Sequence, residues 1–219
     1  MKTDTNEQAA RNKGLKKTLL AVGLGASAGF AATFVFLNLL GTDVLPEIGL
    51  SREIAALVAI VYLLIGLLMV FGLVSPKQGA KVLNVEDADE IEEERGQLLP
   101  ATVAMILAGA ALMVLALAQP VGPVASFVAL SVYVVATVLS VYLSLAAQKR
   151  QDELMREVGK ECAVASYYLI FAIGGSWAGL AHLDYVAAPA PLDWLTMFWG
   201  MTLLAAFIVT SRRGMMAMR

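Results

Sequence analysis

Ionisable residues are most concentrated in the segment 86–95, which reads EDADEIEEER. Its seven carboxylates are Glu86, Asp87, Asp89, Glu90, Glu92, Glu93 and Glu94. Carboxylates at this density can attract a basic protein, because opposite potentials steer association. They can also collect a divalent cation, but the segment lacks the glycine and alternation of an EF-hand loop. We therefore interpret it as a docking surface for a basic partner, with a solvated helix face near lipid headgroups as the alternative.

A second polar group, His182, Asp184 and Tyr185, follows a long apolar run. A lone histidine beside a carboxylate can titrate near neutral pH or bind a metal weakly. A metal site needs about three or four ligands, and Asp193 is one of few acids that could join. With the tryptophans nearby, the group is more typical of an aromatic belt at a membrane interface.

The sequence contains no motif of a common catalytic site: no phosphate-binding GxxxxGK[ST], no GxSxG and no HExxH. The single cysteine, Cys162, excludes an intramolecular disulfide and a cysteine-based zinc site. We expect a non-enzymatic protein without catalytic residue, metal or cofactor, and no direct contact with nucleic acid.

The elements that carry these residues are predicted to be membrane-spanning helices. Of the 219 residues, 59% are hydrophobic and 16% charged, whereas a soluble domain has about 25% charged residues. A bilayer core requires about 20 apolar residues of helix to cross it. Six uncharged runs satisfy this, at 18–40, 54–74, 98–118, 124–147, 162–181 and 194–211. The fold class expected is all-α, a polytopic six-transmembrane-helix bundle embedded in the lipid bilayer.

The basic residues predict the orientation of the bundle. Fifteen of the sixteen Lys and Arg residues fall in the segment 1–17, the loops 75–97 and 148–161, and the tail 212–219. The other connections hold only Arg52. Positive residues near helix ends stay on the cytoplasmic side. We expect a protein of the inner membrane, with both termini and the acidic loop 75–97 in the cytoplasm.

Stripes of small residues at a spacing of four predict close helix packing. They are Ala21, Gly25 and Gly29, then Ala136, Ser140 and Ser144, and finally Gly175 and Gly179. Such stripes let helix backbones approach closely, and their hydroxyls bond across helices. Packing within the chain is the first interpretation, and a contact between copies in a homo-oligomer is the second.

The approaches to two of the spans are similar to each other. An offset of 63 residues pairs Asp89 with Asp152, Glu90 with Glu153 and Gly96 with Gly159. Three tandem helical hairpins in one orientation would explain this match, as in parallel repeats. Loop composition alone is the alternative.

The layout also resembles a loose group of small, uncharacterised bacterial multi-pass membrane proteins with a short Asp-Glu-rich stretch ahead of selected helices. The matching elements here are Asp89-Glu90 and Asp152-Glu153 with the helices that follow. Some members of such groups accompany helix-turn-helix regulators and hold them at the membrane. The resemblance implies a cytoplasmic protein partner, such as a regulator.

Three functions follow from these patterns. The predicted spans contain no Asp, Glu, Lys, Arg or His, and such residues usually mark ion pathways or substrate sites. The first hypothesis is therefore a protein that binds a partner through its acidic cytoplasmic face. The second is a small transporter or channel for a neutral or lipid-like substrate, suggested by the repeat, Tyr133 and the Ser140–Ser144 stripe. The third is a structural subunit of a membrane complex.

Overall fold

The structure is a computed structural model that describes residues 23, 25–40, 42, 48–77, 79 and 88–215, without the side chains of residues 88 and 90. The helices of this part of the chain are α1 (Gly25–Leu39), α2 (Leu50–Val74), α3 (Ala88–Glu93), α4 (Arg95–Ala116), α5 (Ser126–Gln148), α6 (Glu153–His182) and α7 (Pro191–Arg212). No strand occurs among the described residues, and an isolated bridge pairs Ala118 with Val124.

Five of these helices, α2 and α4 to α7, are long and apolar enough to cross a membrane. Each overlaps one of the predicted apolar runs. The prediction of an all-helical, multi-pass membrane protein is confirmed at that level. The described part of α1 is shorter than eighteen residues. Residues 18–22 and 24 of the predicted run 18–40 lie outside the described residues, as does the segment 1–17.

The long helices pack in a curved row in the order α5, α4, α2, α7 and α6, each on the next, and the short connection 149–152 joins its two end helices. Helix α2 is the middle member and contacts both α4 and α7. Near the start of α2 and the end of α4, a buried cluster joins Phe36 of α1 and Ile48 to these two helices. Helices α5 and α6 stand at the two ends of the row and keep most of their side chains exposed.

The contact between α2 and α4 depends on small residues. Ala55, Ala56 and Ala59 of α2 are buried in one cluster with Leu112 and Ala116 of α4. A Cβ atom added to Gly109 would lie 3.0 Å from the carbonyl oxygen of Ala59 and 3.0 Å from Cβ of Tyr62. One added to Gly66 would lie 2.5 Å from Cγ1 of Ile106. Without a hydrophobic driving force between helices in lipid, such close backbone approach supplies the packing energy.

Arg52 ties the start of α2 to the end of α4. Its Nη1 donates to the carbonyl oxygens of Ala116, at 3.3 Å, and of Ala118. The first carbonyl belongs to the last residue of α4 and the second lies two residues beyond it, at the end where a helix lacks donors and carries partial negative charge. The turn that follows is tight, since a Cβ on Gly122 would lie 2.1 Å from the Leu117 carbonyl oxygen.

The opposite end of the bundle holds most of the described charged residues. We call it the cation-rich end because eight of the nine described Lys and Arg residues lie there, all except Arg52. Helix α6 begins there, nine residues before its predicted span, because Asp152 caps it by accepting a hydrogen bond of 2.7 Å from the Met155 amide. Arg213 donates to both carboxylate oxygens of Glu161, at 2.9 and 2.6 Å, and so joins α7 to α6. These hydrogen bonds raise the pKa of Arg213 above its ordinary value.

We predict that Gly109→Leu lowers the unfolding temperature of the detergent-solubilised protein, because the new side chain forces α2 and α4 apart. Overpacking of this kind costs about 1–3 kcal/mol. The matched control is Gly179→Leu, since a Cβ there meets no atom within 4 Å. Both variants gain the same helix propensity, so equal thermal shifts in a fluorescence unfolding assay would contradict the role of Gly109.

Candidate functional site

The acidic segment forms the short helix α3 and the residue that follows it. The structure describes the side chains of Asp89, Glu92, Glu93 and Glu94, and all four are exposed. Glu86 and Asp87 lie outside the described residues, as does the side chain of Glu90. Four of the seven predicted partner-binding carboxylates are thus described, and they lie on the surface at the cation-rich end.

Ile91 fixes this helix to the bundle. Its side chain is 1% exposed, the largest of the fully buried side chains among the described residues. Helix α3 contacts both α2 and α4. An apolar residue between acids therefore anchors α3, while Asp89, Glu92 and Glu93 face solvent.

These three carboxylates are close to one another in sequence and have no ion-pair partner within the described part of the chain. The ion pairs recorded there are Lys160–Glu157 at 3.0 Å and Arg213–Glu161 at 2.6 Å. Asp89 is three residues from Glu92 and four from Glu93, spacings that put side chains on one helix face. Like charges at these spacings repel and destabilise a helix. A bound cationic group would relieve that repulsion.

The connection between α5 and α6, residues 149–152, lies beside the start of α4. Nη1 of Arg150 donates to the carbonyl oxygen of Gly96 at 2.7 Å. Gly96 is three residues after Glu93, so the acidic helix and this basic connection share the same end of the bundle. A Cβ on Gly96 would lie 3.1 Å from Arg150 Nη1.

A polar cleft of about 270 Å³ lies among α2, α4 and α5. Its polar lining residues are all uncharged: Tyr62, Ser140, Ser144, Gln148 and Gln151. Ser140 donates to the Ala104 carbonyl oxygen at 2.8 Å, and the Tyr62 hydroxyl donates to the Trp199 carbonyl oxygen at 2.8 Å. Such an arrangement can hydrogen-bond a neutral polar solute.

The predicted packing stripes have different surroundings. Ala136 is buried, and the hydrogen bond of Ser140 crosses from α5 to α4. By contrast, Cβ atoms on Gly25, Gly29, Gly175 or Gly179 would meet nothing within 4 Å, and Ala21 lies outside the described residues. The faces of α1 and α6 that carry these glycines do not contact another described helix of this chain.

The residues around the polar group His182, Asp184 and Tyr185 have ordinary structural contacts. Trp177 donates to the Ala187 carbonyl oxygen at 2.8 Å, and Asp193 accepts from the Ala190 amide at 2.6 Å at the start of α7. His182 and Asp184 are exposed. Within the described residues, no group of three or more His, Cys, Asp or Glu side chains could hold a metal ion.

The sequence interpretation missed two features of this bundle. One is the contact of Tyr62 with Trp199, whose rings meet edge to face at 5.5 Å. The other is the alanine and glycine seam between α2 and α4. Both had a signal: Tyr62 is a single phenol within an otherwise apolar run, and Ala55 and Ala59 are small residues spaced by four.

Comparison of the chain with known protein families, with curated protein sequences and with solved structures found no match. The resemblance in layout to small bacterial multi-pass proteins stays a prediction.

Proposed function

We propose that the chain is a six-span protein of the inner membrane that binds a basic protein partner, such as a regulator, through the acidic surface around α3. In this proposal α1 extends toward residue 18 to complete a sixth span, and both termini lie in the cytoplasm. The three-hairpin repeat belongs to the same proposal, supported by the pairing of α4 with α5 and of α6 with α7.

The distribution of charge supports this orientation. Fifteen of sixteen Lys and Arg residues fall on one side of the proposed spans, and such residues are retained in the cytoplasm. The exception, Arg52, donates a hydrogen bond to the end of α4. It therefore has a structural role on the opposite side, since it joins α2 to α4. The acidic segment therefore faces the cytoplasm in this proposal.

The observation that carries the docking proposal is the contrast between Ile91, which is buried, and the exposed carboxylates around it. A buried anchor holds the carboxylates at fixed spacing, so that less conformational entropy is lost when a partner binds. A cationic partner relieves their mutual repulsion. Opposite potentials then increase the rate of encounter.

The polar cleft favours a second candidate function, passage of a neutral or lipid-like substrate. Its lining hydroxyl and amide groups come from three helices and carry no charge. Tyr62 lies within α2, whereas Gln148 and Gln151 lie at the cation-rich end. A neutral solute could enter at that end and exchange hydrogen bonds with these groups.

We predict that Asp89→Asn combined with Glu92→Gln and Glu93→Gln abolishes salt-sensitive partner binding. A photo-crosslinker at position 92 would identify the partner in native membranes, and binding would then be measured with purified components. The affinity of the unmodified protein should fall steeply between about 50 and 300 mM salt, because surface charges are screened. In the triple variant it should be lower by about tenfold or more at low salt and nearly independent of salt.

The control for this experiment is Glu153→Gln with Glu157→Gln, which removes two exposed carboxylates from α6 at the same end. Equal affinity of the triple variant and the unmodified protein, with the same salt dependence, would refute docking through α3. Neutralising all seven carboxylates of the segment 86–94 extends the test to Glu86, Asp87 and Glu90.

For the second candidate we predict that Ser144→Leu reduces the flux of neutral solutes such as glycerol or urea in proteoliposomes, because leucine fills the polar cleft. Ser131→Leu is the matched control on the same helix, since Ser131 is exposed and bonds only to the Phe127 carbonyl oxygen in the described structure. Flux and lipid scrambling equal to those of protein-free vesicles would exclude this candidate.

A further inference from the structure

A cleft of about 830 Å³ opens between the end of α5 and the start of α6. Its lining includes Tyr142 and Leu145 on one wall, and Lys149, Arg150, Arg156 and Lys160 around the rim. Asp and Glu are missing from the described residues that line it. The cleft therefore combines an apolar wall with a rim of four cations.

Much of that positive charge is uncompensated. Lys160 contacts Glu157 at 3.0 Å, but both side chains are more than half exposed, and exposed pairs of this kind are weak. Arg150 uses Nη1 on the Gly96 carbonyl oxygen, which does not neutralise its charge. For the side chains of Lys149 and Arg156 the described part of the chain offers no hydrogen-bond or ion-pair partner, and both residues are exposed.

The position of the cleft follows from the helix order. Helix α5 packs on α4 and helix α6 on α7, so the two end helices of the row meet chiefly at the connection 149–152. Large apolar side chains of both helices are exposed near this connection. Tyr142, which lines the cleft, is 67% exposed, and Tyr167, four residues after the lining residue Ala163, is 64% exposed. The cleft thus opens at the boundary between the apolar spans and the charged end.

We propose that this cleft binds the headgroup phosphate of an anionic phospholipid, with the acyl chains against the apolar side chains of α5 and α6. Arginine and lysine form charge-assisted hydrogen bonds with phosphate oxygens. Basic pockets between transmembrane helices on the cytoplasmic side suit anionic headgroups. The apolar wall distinguishes a lipid from free phosphate, and the net positive rim favours an anionic over a zwitterionic headgroup.

Two variants test this proposal separately: one removes positive charge from the cleft, and the other fills the cleft with a large side chain. Lys149→Gln with Arg156→Gln removes the two cations without a described partner. Gly159→Phe leaves the charge unchanged but fills the cleft, because Gly159 lines it and a Cβ there meets nothing within 4 Å. Neither Lys149 nor Arg156 holds another helix in place, so both variants should fold.

The experiment uses the full-length, delipidated protein in detergent and measures binding of a fluorescent phosphatidylglycerol, with phosphatidylcholine for comparison. We expect phosphatidylglycerol to bind more tightly than phosphatidylcholine, and each variant to weaken its binding by about tenfold or more. The charge control is Lys77→Gln with Arg95→Gln, two cations outside the cleft, and the steric control is Gly179→Phe. Both controls should keep the affinity within about twofold.

Several results would overturn the proposal. One is equal binding of the two lipids, and another is an equal loss in the charge control, which would indicate attraction by net charge alone. If glycerol phosphate displaced the bound phosphatidylglycerol fully when added at the same concentration as that lipid, the cleft would be a phosphate site without acyl contact. Binding of an acidic peptide to this rim, with no preference for the anionic lipid, would assign the cleft to a protein. These outcomes are independent of the acidic helix α3, whose carboxylates do not line the cleft.

Discussion

The close approach of α2 and α4 is the contact on which the rest of the bundle depends. Lipid offers no hydrophobic gain when two apolar helices meet, so contact requires backbones near enough for dense van der Waals packing. Gly66, Gly109 and the buried alanines beside them allow this. Helix α5 packs on α4, and helix α6 packs on α7, which in turn contacts α2. The contact between α2 and α4 therefore determines the positions of α5 and α6 and of the cleft between them.

Packing through small apolar residues leaves the charged chemistry at the ends of the helices. At the cation-rich end, Ile91 anchors an acidic helix, and the hydrogen bond from Arg150 to Gly96 holds a basic connection beside it. Two surfaces of opposite sign therefore lie close together. The acidic one suits a basic protein and the basic one an anionic lipid headgroup, so a partner docked on α3 would lie next to bound lipid.

The sequence predicts the helices well because their signal is local: an uncharged run of about 20 residues needs no knowledge of neighbours. It does not predict which helix faces which. Gly175 and Gly179 have the spacing of a packing stripe but an open face, whereas Gly109 has its closest contacts on α2. The choice depends on the helix order, which a single sequence does not contain. The basic cleft was missed for a similar reason: it depends on how the end of α5 and the start of α6 are placed, and the sequence shows Lys149 and Arg156 only as charges near helix ends.

The most direct test of the central claim is to determine on which side of the membrane the cation-rich end lies. In a Cys162→Ser background, single cysteines at Thr5, Asp89, Gln151 and Tyr185 would be labelled in intact cells with a membrane-impermeant maleimide. Six spans with a cytoplasmic charged end predict labelling of the Tyr185→Cys variant alone, and of the other three only after permeabilisation. Labelling of Asp89→Cys or Gln151→Cys in intact cells would contradict the orientation, and labelling of Thr5→Cys would leave five spans instead of six.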